Sequence, residues 1–256
     1  MKEFLTVGIN AAREAGGFLM ENFGRISTIE RKSDQTLVTN LDRESERIIT
    51  SALRSSWPDH GIIGEEGGSR AAKEENGYVW VIDPLDGTHN FIKGIGMFGV
   101  SIGLIKGKEF IAGVIYLPSD GDLYYAEKGS GAFKNDKRIS VSSVKDLKDC
   151  TISYDSGMKA GAGRKLEVLK NLAPEVLNVR IFGASVRNLT YLAEGIVDAV
   201  IEFDDKIWDY CAGATIIQEA KGKITDHSGM PFTPENNCYI ASNGYVHESL
   251  LNRFRE

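Results

Sequence analysis

Apolar residues recur at helical spacing near the start of the chain: Phe4, Leu5, Ala12, Ala15, Leu19, Met20 and Phe23. This spacing predicts an amphipathic helix over Glu3–Asn22, with Gly24 placed to end it. Residues 31–34 are polar and read as a loop or hairpin tip. Thr39, followed three residues later by Asp42, has the form of a capping box. The helix it opens carries Leu41, Ser45, Ile48, Ile49, Ala52 and Leu53 on one face, and Pro58 lies beyond its end. A short apolar strand, Gly61-Ile62-Ile63-Gly64, then runs into Glu65-Glu66, with Gly67-Gly68 behind them. Residues 69–77 are charged and small and read as a loose loop.

Trp80, Val81 and Ile82 read as the end of a buried strand. Residues 100–105 and 110–116 predict a hairpin around Lys106-Gly107-Lys108. Residues 123–126 add a strand, and Asn135-Asp136 marks a turn. Around residues 142–149 the pattern changes. Strands are expected at 151–154, 179–182, 199–203, 223–225 and 239–242, and helices at 164–172, 185–194, 208–220 and 247–254. Alternating strands and helices argue for an α/β second half. The expected organisation is an N-terminal α+β half, 1–143, and a C-terminal α/β half, 144–256, acting as one unit.

Bulk properties narrow the function classes. At 256 residues the chain suits one large domain or two tightly joined lobes. Its 42% hydrophobic and 26% charged content is that of an ordinary globular protein. A net charge of −6 without a long basic run argues against sequence-independent binding to nucleic-acid backbones. No apolar stretch approaches the ~20 residues a membrane-spanning helix needs, and the first twelve residues lack a signal-peptide core. Cys150, Cys211 and Cys238 are odd in number and far apart, which is neither a disulfide framework nor a zinc pattern. They fit a reducing cytoplasm.

The chemistry concentrates in Trp80-Val-Ile-Asp83-Pro84-Leu85-Asp86-Gly87-Thr88-His89-Asn90-Phe91. Pro84 restricts Asp83 to extended geometry, and Gly87 permits positive φ. Two carboxylates held close together repel, and burying them unpaired is costly. A divalent cation relieves both problems, and Mg²⁺ prefers hard oxygen ligands. A surface turn reads equally well from this pair alone, since Asp-Pro and Asp-Gly are common in turns. Taken singly, the other acids also have plain explanations: Asp209 as the N-cap of the next helix, Glu65 and Glu66 as solvated, Asp42 as part of its capping box.

In combination these segments resemble the inositol monophosphatase family, Mg²⁺-dependent and lithium-sensitive phosphatases related to fructose-1,6-bisphosphatases. The resemblance rests on Gly64-Glu65-Glu66, on residues 80–91, and on Trp208-Asp209-Tyr-Cys-Ala-Gly followed by Glu219-Ala220. Lys32-Ser33, Leu37-Val38-Thr39 with Asp42, and Gly129-Ser-Gly-Ala-Phe133 extend it over nearly the whole chain. It implies a layered α/β fold, an αβαβα sandwich. By the same resemblance Glu65, Asp83 and the carbonyl of Leu85 hold a first Mg²⁺, and Asp83, Asp86 and Asp209 a second. Glu65 shares a looser third ion, with Glu66 near it. Thr88, oriented by Asp42, positions the attacking water, so Glu65, Thr88 and Asp42 are the catalytic set. Gly87 and Thr88 open a helix that meets phosphate, and Glu202 binds a substrate hydroxyl. Substrate contacts are thereby expected at Asp86, Gly87, Thr88, Ala184, Ser185, Glu202 and Asp209.

The implied reaction is hydrolysis of a small phosphate monoester by direct attack of metal-activated water. Two cations roughly 3.5–4 Å apart stabilise the entering and leaving oxygens, and a helix N-terminus seats phosphate. Inositol monophosphate or a related sugar phosphate is the first expectation. Fructose 1,6-bisphosphate, NADP and 3′-phosphoadenosine 5′-phosphate are alternatives, with Arg180 or Arg187 meeting a second phosphate. A surface or intersubunit role for these arginines is the competing reading. A binding or regulatory protein that kept the fold without turnover is the alternative from another class. A homodimer is expected from the resemblance alone. Thr36, His89 and Lys221 depart from the family pattern, and His89 is expected on the helix surface near the pocket mouth.

Overall fold

The computed structural model describes residues 3–25, 29–31 and 37–255. The first helix, α1 (Glu3–Asn22), has the predicted bounds. A hairpin follows, β1 (Ile29–Arg31) antiparallel to β2 (Leu37–Thr39). Most of the predicted tip, together with Lys32, Ser33 and Thr36, lies outside the described residues. Thr39 and Asp42 form the expected capping box at the start of α2 (Asn40–Ser56).

An eight-stranded sheet comes next. It contains β3 (Gly61–Gly64), β4 (Gly68–Arg70), β5 (Tyr78–Asp86), β6 (Gly99–Lys106), β7 (Glu109–Leu117), β8 (Asp122–Glu127), β9 (Gly131–Lys134) and β10 (Lys137–Ile139). Its order is β10-β9-β8-β7-β6-β5-β3-β4, antiparallel except where β3 runs parallel to β5. Between β5 and β6 lies the short helix α3 (Thr88–Ile92). Two sequence expectations change. Ser69 and Arg70 are not loop but belong to β4, an edge strand paired with β3. And β5 does not end at Ile82; it continues through Pro84 to Asp86, with a register shift against β6 between Asp83 and Asp86. Proline cannot donate to a ladder, so the irregularity falls where Pro84 sits, and bulges of this kind re-aim side chains.

The second sheet has β11 (Thr151–Tyr154), β12 (Asn178–Arg180), β13 (Ala199–Glu202), β14 (Lys223–Thr225) and β15 (Tyr239–Ser242), in the order β12-β11-β13-β15-β14. Strand β11 is parallel to β12 and β13, while β15 is antiparallel to β13 and β14. Its helices are α4 (Ala162–Leu172), α5 (Ser185–Ala193), α6 (Ile207–Glu219) and α7 (His247–Arg255).

The elements stack in five layers: α1 and α2, the large sheet, α5 and α6, the small sheet, then α4 and α7. Strand β5 shows how alternation builds this. Trp80 and Ile82 enter the core under α1 and α2, and Val81 enters the core under α5 and α6, as the two-residue period of a strand requires. Helix α6 is apolar on every side because it is covered on every side. Its close approach to the sheet needs Gly113, where a side chain would strike the Ala212 backbone. No helix among the described residues is long and apolar enough to cross a membrane.

Candidate active site

The end of β5 carries the first acids. Asp83 is buried, and its Oδ1 accepts the Leu85 N–H at 3.0 Å. Asp86 accepts the N–H of Val186, in the first turn of α5. The hydroxyl of Ser45, on α2, donates to the Pro84 carbonyl at 2.9 Å and pins the irregular segment from the other side. Gly87 then turns the chain with φ of +83°, and a Cβ there would meet the Met97 carbonyl and Ala184. Only glycine accepts that conformation without strain.

Glu65 follows β3, and its N–H bonds the Ile82 carbonyl at 3.2 Å, which extends the β3–β5 pairing to the neighbourhood of Asp83. Asp209 comes from the opposite layer. It is not the N-cap expected from its sequence: α6 starts at Ile207, so Asp209 lies in the first turn and accepts the Lys206 N–H at 2.6 Å. Each of the three aspartates therefore has one oxygen held by a backbone N–H.

Glu65, Asp83, Leu85, Asp86, Gly87, Thr88 and Asp209 line one cavity of about 720 Å³. His89 is exposed at its edge, on α3, as anticipated. A second cavity of about 340 Å³ shares Asp86, Gly183 and Asp209 with the first, and its walls include Ala184, Ser185 and Glu202. Glu65, Asp83, Leu85, Asp86, Gly87, Thr88, Ala184, Ser185, Glu202 and Asp209 thus border this connected space; Asp42 stands behind it, bonded to Thr88.

The sequence matches the inositol monophosphatase family over residues 1–256. The chain belongs to that family. A protein of Aquifex aeolicus named fructose-1,6-bisphosphatase/inositol-1-monophosphatase is 39% identical, covering 98% of this chain and 95% of that protein. A Vibrio cholerae protein named Nus factor SuhB is 36% identical, covering 100% and 97%. The crystal structure of the extragenic suppressor protein suhB from Bartonella henselae superposes with a TM-score of 0.95 at 34% identity, covering 100% and 99%. The αβαβα layering is thus the fold of inositol monophosphatase-family proteins.

Electrostatics mark the pocket. Burial pushes Asp83 well above the usual carboxylate range, and the charges of Glu65, Asp86 and Asp209 push it further. Asp86 is raised to about 7, chiefly by burial, against the Val186 hydrogen bond. Asp209 is raised by burial and then by Asp205 and Asp86. Glu202 is raised by burial, Asp205 and Asp155. Such a set, all oxygen and mutually repelling, matches what a hard divalent cation needs. Among the described residues no three His, Cys, Asp or Glu side chains are yet gathered tightly enough to hold an ion.

Thr88 donates its single proton to either of two acceptors, Asp42 Oδ1 at 3.1 Å or the Leu85 carbonyl at 3.0 Å. The other Asp42 oxygen accepts the Thr39 hydroxyl at 2.6 Å and the Thr39 N–H at 2.8 Å. The capping box that starts α2 and the orientation of Thr88 therefore depend on one buried carboxylate.

Other contacts were not foreseen. Asn90 donates to the Met97 and Phe182 carbonyls, both at 2.8 Å, and so ties α3 to the segment before Ala184. Asn188 donates to Glu202 at 2.7 Å while accepting from Ser153 at 2.9 Å. Arg187 is buried, ion-paired with Asp120 and donating to the Gly96 carbonyl. Neither Arg187 nor Arg180 borders the two cavities, so neither meets a second phosphate there. Glu66 lines a separate groove beside Arg43, its N–H held by Glu46.

Proposed function

We propose that this chain is a Mg²⁺-dependent phosphatase that hydrolyses a small phosphate monoester, an inositol monophosphate or related sugar phosphate. The observation that carries the reading is the convergence of Glu65, Asp83, Leu85, Asp86 and Asp209, from three separate elements, on one cavity. The donor set suits two to three Mg²⁺. Glu65, Asp83 and the Leu85 carbonyl would hold one ion, and Asp83, Asp86 and Asp209 another. When bound, such ions supply positive charge at the entering and leaving oxygens and make water more acidic.

The chain's own residues do the rest. The backbone pins on the three aspartates fix one oxygen of each, so the carboxylates need little reorganisation. With its proton given to Asp42, Thr88 keeps oxygen lone pairs with which to accept a hydrogen bond from water. Glu65 lines the same cavity as Thr88. Glu202, aligned by Asn188, accepts a leaving-group hydroxyl in the second cavity, beside Ala184 and Ser185. Positioning and electrostatics provide the rate, as is usual for phosphoryl transfer.

A bisphosphate substrate, suggested by the name of the Aquifex aeolicus relative, is disfavoured. Six carboxylates line the second cavity and its one cation, Lys165, is already ion-paired. The relative named Nus factor SuhB supports a second reading, a binding role on the same fold; the complete acid set argues for turnover beside it. We propose further that the chain forms a homodimer. Exposed Ile95 and Ile181 sit on two segments that Asn90 and Arg187 hold together, next to the edge strand β12. Weakly held Mg²⁺ makes lithium a millimolar inhibitor in this reading.

Phosphate release from inositol 1-phosphate, fructose 1,6-bisphosphate, NADP and 3′-phosphoadenosine 5′-phosphate, with Mg²⁺ and with EDTA, tests the proposal. Inositol 1-phosphate should be cleaved fastest and only with metal; equal background in both conditions for all four favours the binding role.

A further inference from the structure

The second cavity, which Glu202 lines, is also lined by Lys165, a residue that the sequence does not single out. Lys165 lies on α4, far from the acidic motifs in sequence, and is only 2% exposed. Its ammonium reaches Asp155 at 2.7 Å, Asp204 at 2.9 Å and the Gly157 carbonyl at 2.9 Å. An ammonium has three protons to donate, so all three are used. The partners come from three places: the end of β11, the loop that follows it, and the connection between β13 and α6. Asp155 repeats the pattern. One oxygen accepts the Gly157 N–H, and the other accepts the Phe203 N–H at 3.3 Å beside its bond to Lys165. Glu202 immediately precedes Phe203.

We propose that Lys165, with Asp155, is a positioning pair that sets the leaving-group selectivity of this site. This rests on the phosphatase reading above and deepens it. The ammonium ties the 155–157 wall to the 202–204 wall and so fixes the width of the space between them. It acts through Glu202 and touches no reacting atom. A polyhydroxylated leaving group uses that spacing because its hydroxyls must reach Glu202. A leaving group without hydroxyls does not use it.

The test compares myo-inositol 1-phosphate with p-nitrophenyl phosphate in the wild type, in Lys165→Met, and in the double variant Asp155→Asn/Lys165→Met. Removing the lysine alone leaves a buried carboxylate uncompensated. The double variant avoids this and serves if the single one does not fold. Asp204 is 56% exposed and can return to water. The expected result is a rise in KM for inositol 1-phosphate of roughly tenfold in both variants, the factor that one lost hydrogen bond of ordinary strength makes. The ratio of kcat/KM between the two substrates should shift by the same factor. Equal losses on both substrates would show a merely structural pair and overturn the assignment, as would wild-type selectivity in the double variant. A wild-type chain inactive on both substrates removes the phosphatase reading, and this assignment with it.

Discussion

The Asp86 carboxylate accepts the backbone N–H of Val186, one hundred residues further along the chain. That bond joins the end of β5 to the first turn of α5, across the middle of the candidate site. Asp209 reaches the same space from α6, so acids from both sheets' layers share one pocket. Burial and the charges of neighbouring acids raise Asp83 and Asp209 there.

Such a site trades stability for function. Asp83 is buried among acids that raise it, so Asp83→Asn removes both repulsion and desolvation cost. In metal-free protein this variant should melt several degrees higher than the wild type. Added Mg²⁺ should stabilise the wild type, by about 2.7 kcal/mol at a hundredfold excess over Kd, and so raise its melting point, while leaving the variant unmoved. Catalysis should fall by ~10²–10³-fold, the usual loss when one preorganised electrostatic group is removed. Differential scanning fluorimetry with and without EDTA checks the stability half, and phosphate release the other.

Thr88 and Asp42 should behave as a unit because they share one hydrogen bond. Thr88→Val is expected to lower kcat by ~10²-fold or more with little change in KM, and Thr88→Ser to keep most activity. Asp42→Asn should resemble Thr88→Val kinetically and also lose about 1 kcal/mol of stability through the α2 cap. Steady-state kinetics and urea melts of the three variants measure this. A KM effect without a kcat effect would contradict the assigned role.

Much of this architecture was legible because it follows from period and capping. The buried strand through Trp80-Val81-Ile82 and the Thr39–Asp42 box appear in the structure as read. The acids were legible only as a resemblance, since Glu65 and Asp209 are sequence-distant and each has an ordinary explanation alone. Three things were hidden for physical reasons. The continuation of β5 past Pro84 depends on pairing with β6, which no local propensity reports. The β4 edge strand is polar and held by its partner rather than by an apolar pattern. Lys165 looks like any helix-surface lysine until the fold brings Asp155 and Asp204 to it.

Lys221 stands where the resemblance implies glycine, and the backbone shows what that costs. It has φ of +71°, the left-handed region, at the turn where its N–H and that of Gly222 close the end of α6. An L-residue there is penalised by ~1–2 kcal/mol, while glycine loses about 0.5–1 kcal/mol in chain entropy. Lys221→Gly should therefore raise stability by roughly 0.5–1 kcal/mol in a urea melt without altering kinetics.

His247 predicts a pH dependence remote from the site. It is fully buried, with Thr225 and Ser242 hydroxyls each 2.9 Å from its ring nitrogens. Burial, then Lys223, lowers it to about 4, while Glu248 raises it. The unfolded chain takes up the proton near 6.5 and the folded one only near 4. Stability from this residue is thus complete above pH 6.5 and falls as the pH drops towards 4, by up to about 3 kcal/mol. His227, also lowered to about 4 by burial, contributes a parallel loss. His247→Gln should remove roughly half of the combined histidine slope, read as the stability difference from wild type between pH 7 and pH 4.5.

The central claim is spatial, and a crystal grown with Mn²⁺ and inorganic phosphate addresses it most directly. Anomalous difference peaks are expected among Asp83, Asp86 and Asp209 and between Glu65 and the Leu85 carbonyl, with metal–oxygen distances near ~2.1–2.3 Å and phosphate at the start of α3. A fully occupied crystal form with no anomalous peak in that cavity, or with manganese bound only elsewhere, would contradict the account.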